Sequence, residues 1–177
     1  MPTLHVHLDE SGNLTFKPTG SQYYVFTAAW TYDPAPLGSE LTALRFALLK
    51  RGHDLHRFHA TEDKQVNRDA VVDALARHES WRFAAVVIEK ARVYPDLRVP
   101  HRFYPEFASS VLKHVFRHHL APGTDTVLVF TDARRIIALL LVHAIILLHL
   151  SRPSVLSCAS GMVVLRQERE DPDRAPA

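Results

Sequence analysis

The sequence predicts an α/β domain whose mixed β-sheet is flanked by helices. The N-terminal residues alternate between apolar and polar side chains, later stretches carry apolar residues at helical spacing, and residues 126–130 form a short apolar run typical of a buried strand. The chain has 177 residues, 47% of them hydrophobic, so it can bury a core without disulfides or metals. We expect a single domain over residues 1–165 and a disordered, charged tail over residues 166–177.

Two strands are predicted near the N-terminus. Thr3–Asp9 alternates, with apolar residues at positions 4, 6 and 8 on one face. The residues from Glu10 to Asn13 have turn chemistry, because glycine and asparagine tolerate positive φ. Tyr23–Trp30 is rich in aromatic and β-branched residues. Two consecutive strands favour an antiparallel pair that opens a mixed sheet.

The middle of the chain predicts helices interleaved with two further strands. Ser39 is expected to cap a helix that ends at Arg51, just before a glycine. The strand predicted next is apolar enough to be central in the sheet. The remaining predicted elements are a helix around Val66–Leu75, that strand at Trp81–Ile88, a helix over Phe103–His119 and a buried strand at Thr126–Phe130.

The character of the chain changes after Arg134. Ile136–Leu150 is apolar at thirteen of its fifteen positions, interrupted only by two histidines. This stretch is short for a membrane span, which needs about 20 residues. We expect a buried core helix; a tail anchor or interfacial segment is one alternative, and residues read from a non-native frame are another.

Composition narrows the classes of function. Lys and Arg together number 21, against 19 Asp and Glu, so the net charge gives no strong electrostatic case for binding nucleic acid. The chain also has twelve histidines, which would make its net charge more positive on mild acidification. The single cysteine, Cys158, excludes a disulfide framework and multi-cysteine metal sites. The N-terminus does not resemble a signal peptide, and we expect a cytoplasmic protein. Motifs of zinc proteases, serine hydrolases and P-loop or dinucleotide-binding proteins do not occur.

Acidic residues at strand ends are the first candidate site. Asp9 and Glu10 come where the first strand is predicted to stop, and Asp132 follows the Thr126–Phe130 strand. Because adjacent strand residues point to opposite faces, at most one of Asp9 and Glu10 should share a site with Asp132 unless the turn has already begun. If the two strands are neighbours, Asp9 and Asp132 converge on one divalent cation. Carboxylate oxygens suit Mg²⁺ or Mn²⁺, which assist phosphodiester hydrolysis. The alternative is that each residue forms a turn or caps a helix.

The second candidate lies between residues 56 and 63. His59 and Glu62 are three residues apart and would share a face of a helical turn, as half of a metal site or an acid–base pair. The alternative is an imperfect helix cap with Thr61 at the N-cap. We interpret the histidines at the end of the Phe103–His119 helix as residues that interact with the negative end of its dipole, rather than as a zinc site.

Three segments together resemble the domain of unknown function 3800 family. They are His5–Asn13 with its Asp-Glu-Ser-Gly, Phe58–Arg68 with Phe-His-Ala-Thr-Glu-Asp, and Val127–Asp132. Val87–Lys90 and Arg102–Pro105 also look like the middle section of that family. The resemblance covers about residues 4–135, and the order of the segments makes it fairly specific.

The resemblance implies a ribonuclease H-like mixed sheet, in which the first and fourth strands lie side by side. It also implies a divalent-metal site that acts on phosphodiesters. By position, Asp9 and Glu10 match the first motif, His59 and Glu62 the second, and Asp132 the third. We therefore expect Asp9, Asp132 and Glu62 to be metal ligands, Glu10 to be an auxiliary ligand or orienting group, and His59 to shuttle protons. The expected cofactor is Mg²⁺ or Mn²⁺, and the expected substrate is nucleic acid.

The C-terminal part is atypical for the family. Members continue with a strand, a His-Ser segment and a helix carrying Leu-Gln-x-Ala-Asp, and nothing similar follows Arg134. No Asp or Glu occurs between Ala133 and Glu168. We hypothesise a truncation or frame shift near Arg134, which would leave the site without one acid. The competing prediction is a non-catalytic binding or interaction protein on the same scaffold.

Overall fold

One mixed sheet organises the part of the chain that the structure describes. The computed structural model describes residues 2–131 and the backbone of 154–159 and 162–167. Its strands are β1 (Thr3–Ser11), β2 (Tyr23–Thr31), β3 (Arg82–Glu89), β4 (Thr126–Thr131), β5 (Ser154–Ala159) and β6 (Met162–Gln167). Over these residues the six strands follow the order β3-β2-β1-β4-β6-β5. The α/β class with a mixed sheet is confirmed.

The direction of the strands around β4 matters most for the site. β1 and β4 run parallel, with Thr3 opposite Thr126 and Leu8 opposite Thr131. β6 is antiparallel to both β4 and β5. The first and fourth strands are therefore neighbours, which is the adjacency that the strand-end acids require.

The core lies between the sheet and the longest described helix. The helices are α1 (Ala35–Lys50), α2 (Gln65–Ala76) and α3 (Pro100–His119), with short 3₁₀ turns at Lys90–Arg92 and Pro95–Leu97. Leu4, Val6 and Leu8 are buried, as the alternation predicts. They belong to the same hydrophobic cluster as the apolar residues of α3, among them Phe103 and Val111.

Two predicted helix starts are wrong, one by five residues and one by three. α1 begins at Ala35 rather than after Ser39, because Pro36 fits the first turn of a helix, where its missing N–H is not needed. α3 begins at Pro100 for the same reason. α2 follows Lys64, so Thr61 does not cap it.

The predicted position of β3 in the sheet is also wrong. β3 is the end strand of the described sheet rather than a central strand. Phe83 is 54% exposed and Val87 64% exposed. An apolar run shows that a strand is favoured, but it does not distinguish a buried strand from an edge strand with one uncovered face.

The strands β5 and β6 were not predicted. Their sequences are short and apolar, and Ala159 pairs with Met162, so a Ser-Gly dipeptide separates them. A Ser-Gly dipeptide between two apolar runs marks a turn. β6 extends two residues into the stretch expected to be a tail. Asp132 and Ile136–Leu150 lie outside the described residues, as do residues 168–177.

The chain divides into two compact units. One contains residues 1–30 and 83–177, and the other contains residues 31–82. In the second unit α1 packs against α2, and Glu40 binds both Arg77 and His78. A single domain over residues 1–165 stays a prediction. Among the described helices, none is long and apolar enough to cross a membrane.

Candidate metal site

Asp9 and Glu10 lie on opposite faces of β1. The strand continues to Ser11, so neither residue is at its end, and the alternation of burial persists past Leu8. Glu10 lies on the face that packs against α3, whereas Asp9 lies on the face of His7. The expectation that adjacent acids point apart is confirmed.

Glu10 is held by a tyrosine that the sequence reasoning missed. The hydroxyl of Tyr104, on α3, donates to Glu10 Oε2 over 3.1 Å. Tyr104 is almost completely buried. Burial raises its pKa above the usual range, a hydrogen bond with Thr131 opposes that rise, and the charge of Glu10 adds to it. The phenol therefore keeps its proton at neutral pH and acts as a donor. Its only sequence signal was the Phe-Tyr-Pro segment of the resemblance, to which no role was given.

A second tyrosine responds to the same carboxylates. Burial, followed by the negative charges of Glu10 and Asp9, raises the pKa of Tyr24 to about 12. The charges of Glu10 and Asp9 therefore affect the pKa of a buried side chain on the neighbouring strand. Tyr24 also contacts Phe26 and Phe103, so this aromatic layer backs the end of β1 that carries the acids.

The face of β1 that carries Asp9 also carries two histidines. His7 stacks on Phe130 of β4 with ring centroids 4.6 Å apart, and His5 stacks on the same ring at 6.3 Å. Desolvation lowers the pKa of both imidazoles, and the proximity of His5 lowers that of His7 further. Both rings are therefore neutral at pH 7, so they do not oppose a cation near Asp9.

The loop after β1 is fixed by a glycine and a buried lysine. Gly12 has φ +106°, and a Cβ there would lie 2.7 Å from the Tyr23 carbonyl oxygen. Lys90 is 5% exposed, and its ammonium donates to the carbonyl oxygens of Asn13 (2.9 Å) and Thr15 (2.7 Å). These contacts position the chain that immediately follows Asp9 and Glu10.

The predicted partner of Asp9 follows β4 directly. The described register of β1 and β4 ends at the pair Leu8 and Thr131. Asp132 is the next residue along the chain and lies outside the described residues. What is established is that the residues preceding Asp9 and Asp132 are directly opposite each other.

His59 and Glu62 lie in the second unit, in a turn that precedes α2. The backbone N–H of His59 donates to Asp63 Oδ2 over 2.7 Å, and the N–H of Asp63 donates to the His59 carbonyl oxygen over 2.9 Å. The Arg68 guanidinium donates to the carbonyl oxygens of Ala60 and Asp63. The turn is therefore built from its own hydrogen bonds and not from a helix cap on Thr61.

The imidazole of His59 has a polar neighbour at each nitrogen. Thr61 Oγ1 lies 3.1 Å from Nδ1, and Glu62 Oε1 lies 4.0 Å from Nε2. The Glu62 side chain is 72% exposed. A Thr61 hydroxyl that donates to Nδ1 leaves the ring proton on Nε2, facing Glu62. This arrangement can accept a proton and pass it to solvent.

The predicted site residues thus fall into two sets. Asp9 and Glu10 share one strand, and His59 and Glu62 share one turn. Within the described residues, no group of three His, Cys, Asp or Glu side chains is arranged to hold a metal ion.

The chain matches no protein-family model, no curated protein and no solved structure.

Proposed function

We propose that this chain is a ribonuclease H-like, divalent-metal-dependent nuclease that hydrolyses phosphodiesters of nucleic acid. Asp9 and Asp132 are its proposed metal ligands, with Mg²⁺ or Mn²⁺ as the cation. Glu62 is a further ligand and His59 shuttles protons, while Glu10, on the opposite face of β1, orients that strand through its bond with Tyr104.

The parallel pairing of β1 and β4 is the observation that carries this proposal. Leu8 lies opposite Thr131, so an unbroken register would bring the next two residues, Asp9 and Asp132, side by side on one face. Side chains directly opposite each other in a sheet are close enough to share a cation. The adjacency of a first and a fourth strand is also what the ribonuclease H-like resemblance implies.

The surroundings of Asp9 suit a cation. Its carboxylate is exposed, and the nearest histidines on its face have lowered pKa values and carry no charge at pH 7. Hard cations such as Mg²⁺ prefer carboxylate oxygens and keep several water ligands, which an exposed position allows. When bound, such a cation activates water and stabilises the leaving oxygen.

The other residues have supporting roles in the proposal. Tyr104 holds Glu10 on the α3 face, and Lys90 fixes the loop beyond it, so the end of β1 is rigid before any ligand arrives. His59, with a hydroxyl at one nitrogen and a carboxylate near the other, can take a proton from water and release it.

Cleavage of single- and double-stranded DNA and RNA in Mg²⁺ tests the proposal. Loss of an outer-shell partner of a metal typically costs about 10–100-fold in activity, so Asp9→Asn and Asp132→Asn should each lose at least about 100-fold. Asp96→Asn removes the same charge from an exposed turn and should cleave like the wild type. Equal cleavage by all four proteins would refute the assignment.

A non-catalytic scaffold gives a different result. Mn²⁺ should raise the melting temperature of the wild type, because a ligand that binds only the folded state stabilises it. A metal-dependent shift without cleavage would indicate a binding protein. If Mn²⁺ neither raises the melting temperature nor supports cleavage, the proposed metal site is refuted.

A further inference from the structure

The outer edge of β3 has features that edge strands normally avoid. The strand is eight residues long and ends the described sheet. Its interior, from Phe83 to Ile88, contains no proline and no charged residue. Exposed edges of this kind are usually blocked by a proline, a lysine or a bulge, because their unpaired backbone groups pair with other strands.

The exposed side chains of β3 are placed symmetrically about Ala85. Phe83 and Val87 lie two residues on either side of it, on the same face, and are 54% and 64% exposed. The alternate residues Ala84, Val86 and Ile88 belong to or pack against the core. One face of the strand is therefore used by the fold, and the other carries two large apolar groups separated by a small one.

We propose that β3 pairs antiparallel with β3 of a second copy of this chain, about a two-fold axis at Ala85. Two identical edges related by such an axis keep their faces on the same side, so residues of equal parity lie opposite each other. Centring the pair on Ala85 places Phe83 of each copy opposite Val87 of the other. Aromatic and β-branched residues directly opposite each other are a favourable cross-strand pair.

Charge complementarity favours a second copy over an unrelated strand. In this register Arg82 of one copy lies opposite Ile88 of the other, one residue before Glu89, so each end of the pair combines one positive and one negative residue on opposite faces of the sheet. A parallel pair would bring like charges together. Glu89 already forms an exposed ion pair with Arg92 in its own copy, which leaves that pair in water at the end of the new interface.

A cavity of about 600 Å³ lies beside the second half of the strand. Among the described residues it is lined by Val86–Glu89 together with Tyr94 and Phe107, and these carry Glu89 and Glu106 against a single cation, Arg92. In the proposed register the Arg82–Phe83 end of the second copy lies alongside this half of β3. The Arg82 guanidinium of that copy, on the core-side face opposite Ile88, matches the excess of carboxylates, and its Phe83 ring lies opposite Val87 on the other face.

Sedimentation over a range of concentrations tests the proposal with Val87→Lys as the main variant. The wild type should dimerise, and Val87→Lys should sediment as a monomer, because two lysines would face two phenylalanines. Val72→Lys is the matched control: Val72 is 60% exposed and belongs to α2 rather than to β3, and its variant should remain dimeric. A wild type that stays monomeric, or a dimer that Val87→Lys leaves unchanged, would overturn the proposal.

A cysteine at the two-fold axis gives a test that does not depend on a disruptive substitution. In a Cys158→Ser background, Ala85→Cys should form a covalent dimer under mild oxidation, because directly opposite Cα atoms are about 4.5–5.5 Å apart, within disulfide range. Val87→Cys should not, since its two copies would be four residues, about 14 Å, apart along the strand. Cross-linking by Val87→Cys and not by Ala85→Cys would refute this register.

Discussion

The segment around Asp9 and the turn around His59 each carry predicted site residues, but they are held in different ways. The bond from Tyr104 to Glu10 spans 94 residues of sequence, and the bond from Lys90 to Asn13 spans 77. In the turn, the bonds from His59 to Asp63 and from Arg68 to Ala60 span four and eight residues.

This difference separates the two segments energetically. The geometry at Asp9 requires the sheet, α3 and the Lys90 loop to be folded together, so distant substitutions should disturb it. The geometry at His59 requires only one short stretch of chain, so it should respond to substitutions within that stretch. The following substitutions test this contrast, from the largest expected effect to the smallest.

Gly12→Ala should have the largest effect. The φ of +106° and the 2.7 Å approach of the Tyr23 carbonyl oxygen leave no room for a Cβ. Strain and overpacking together should lower the free energy of unfolding by about 3 kcal/mol, measured by urea denaturation. Gly52→Ala is the control: its φ is +83° but nothing lies within 4 Å, so it should lose about 1 kcal/mol. Equal losses would contradict the close approach.

Lys90→Met should reduce the stability of the Asp9 segment by about 2 kcal/mol, because it removes the donor of two short hydrogen bonds to carbonyl oxygens. Amide hydrogen exchange should accelerate around Asn13 and remain unchanged around His59. Lys17→Met, at an exposed lysine, should change neither. Faster exchange at both segments would show that they are not independent.

The segment around Asp9 shows what the sequence could and could not predict. The alternation in Thr3–Asp9 and the apolar run in Thr126–Phe130 predicted β1 and β4, because periodicity depends on local residues. The roles of Lys90 and Tyr104 depend on partners far along the chain, which no local pattern encodes. The same limit explains β3: its composition predicted a strand, but its place at the end of the described sheet is set by tertiary pairing.

Asp63→Asn tests the other half of the comparison. It weakens the charge-assisted bond from the His59 N–H, and the loss should be about 1 kcal/mol. The effect should appear as faster amide exchange at His59, with residues 9–15 unchanged. Asp73→Asn, on the exposed side of α2, provides a charge-matched control with no expected change. Slower or unchanged exchange at His59 would show that Asp63 does not hold the turn.

His7 should make the smallest contribution, through the pH dependence of stability. Its pKa in the folded state lies below the ordinary value of 6.5, so the unfolded chain binds more protons below that pH. Stability from this group is complete above pH 6.5 and is lost as the pH falls towards the folded-state pKa. His7→Gln should therefore lose less stability than the wild type between about pH 7.5 and about pH 5.5. An identical pH dependence in urea denaturation would contradict the lowered pKa of His7.

Iron-directed cleavage of the protein tests the central claim most directly. Fe²⁺ can occupy oxygen-ligand sites of Mg²⁺, and with ascorbate and peroxide it generates hydroxyl radicals that cut the nearest backbone. We predict cuts near residues 9 and 132 together, suppressed by excess Mg²⁺ and absent in Asp9→Asn. Additional cuts near Glu62 would bring the His59 turn into the same site. Cuts that avoid residues 9 and 132, or that persist unchanged in Asp9→Asn, would contradict a metal bound between the ends of β1 and β4.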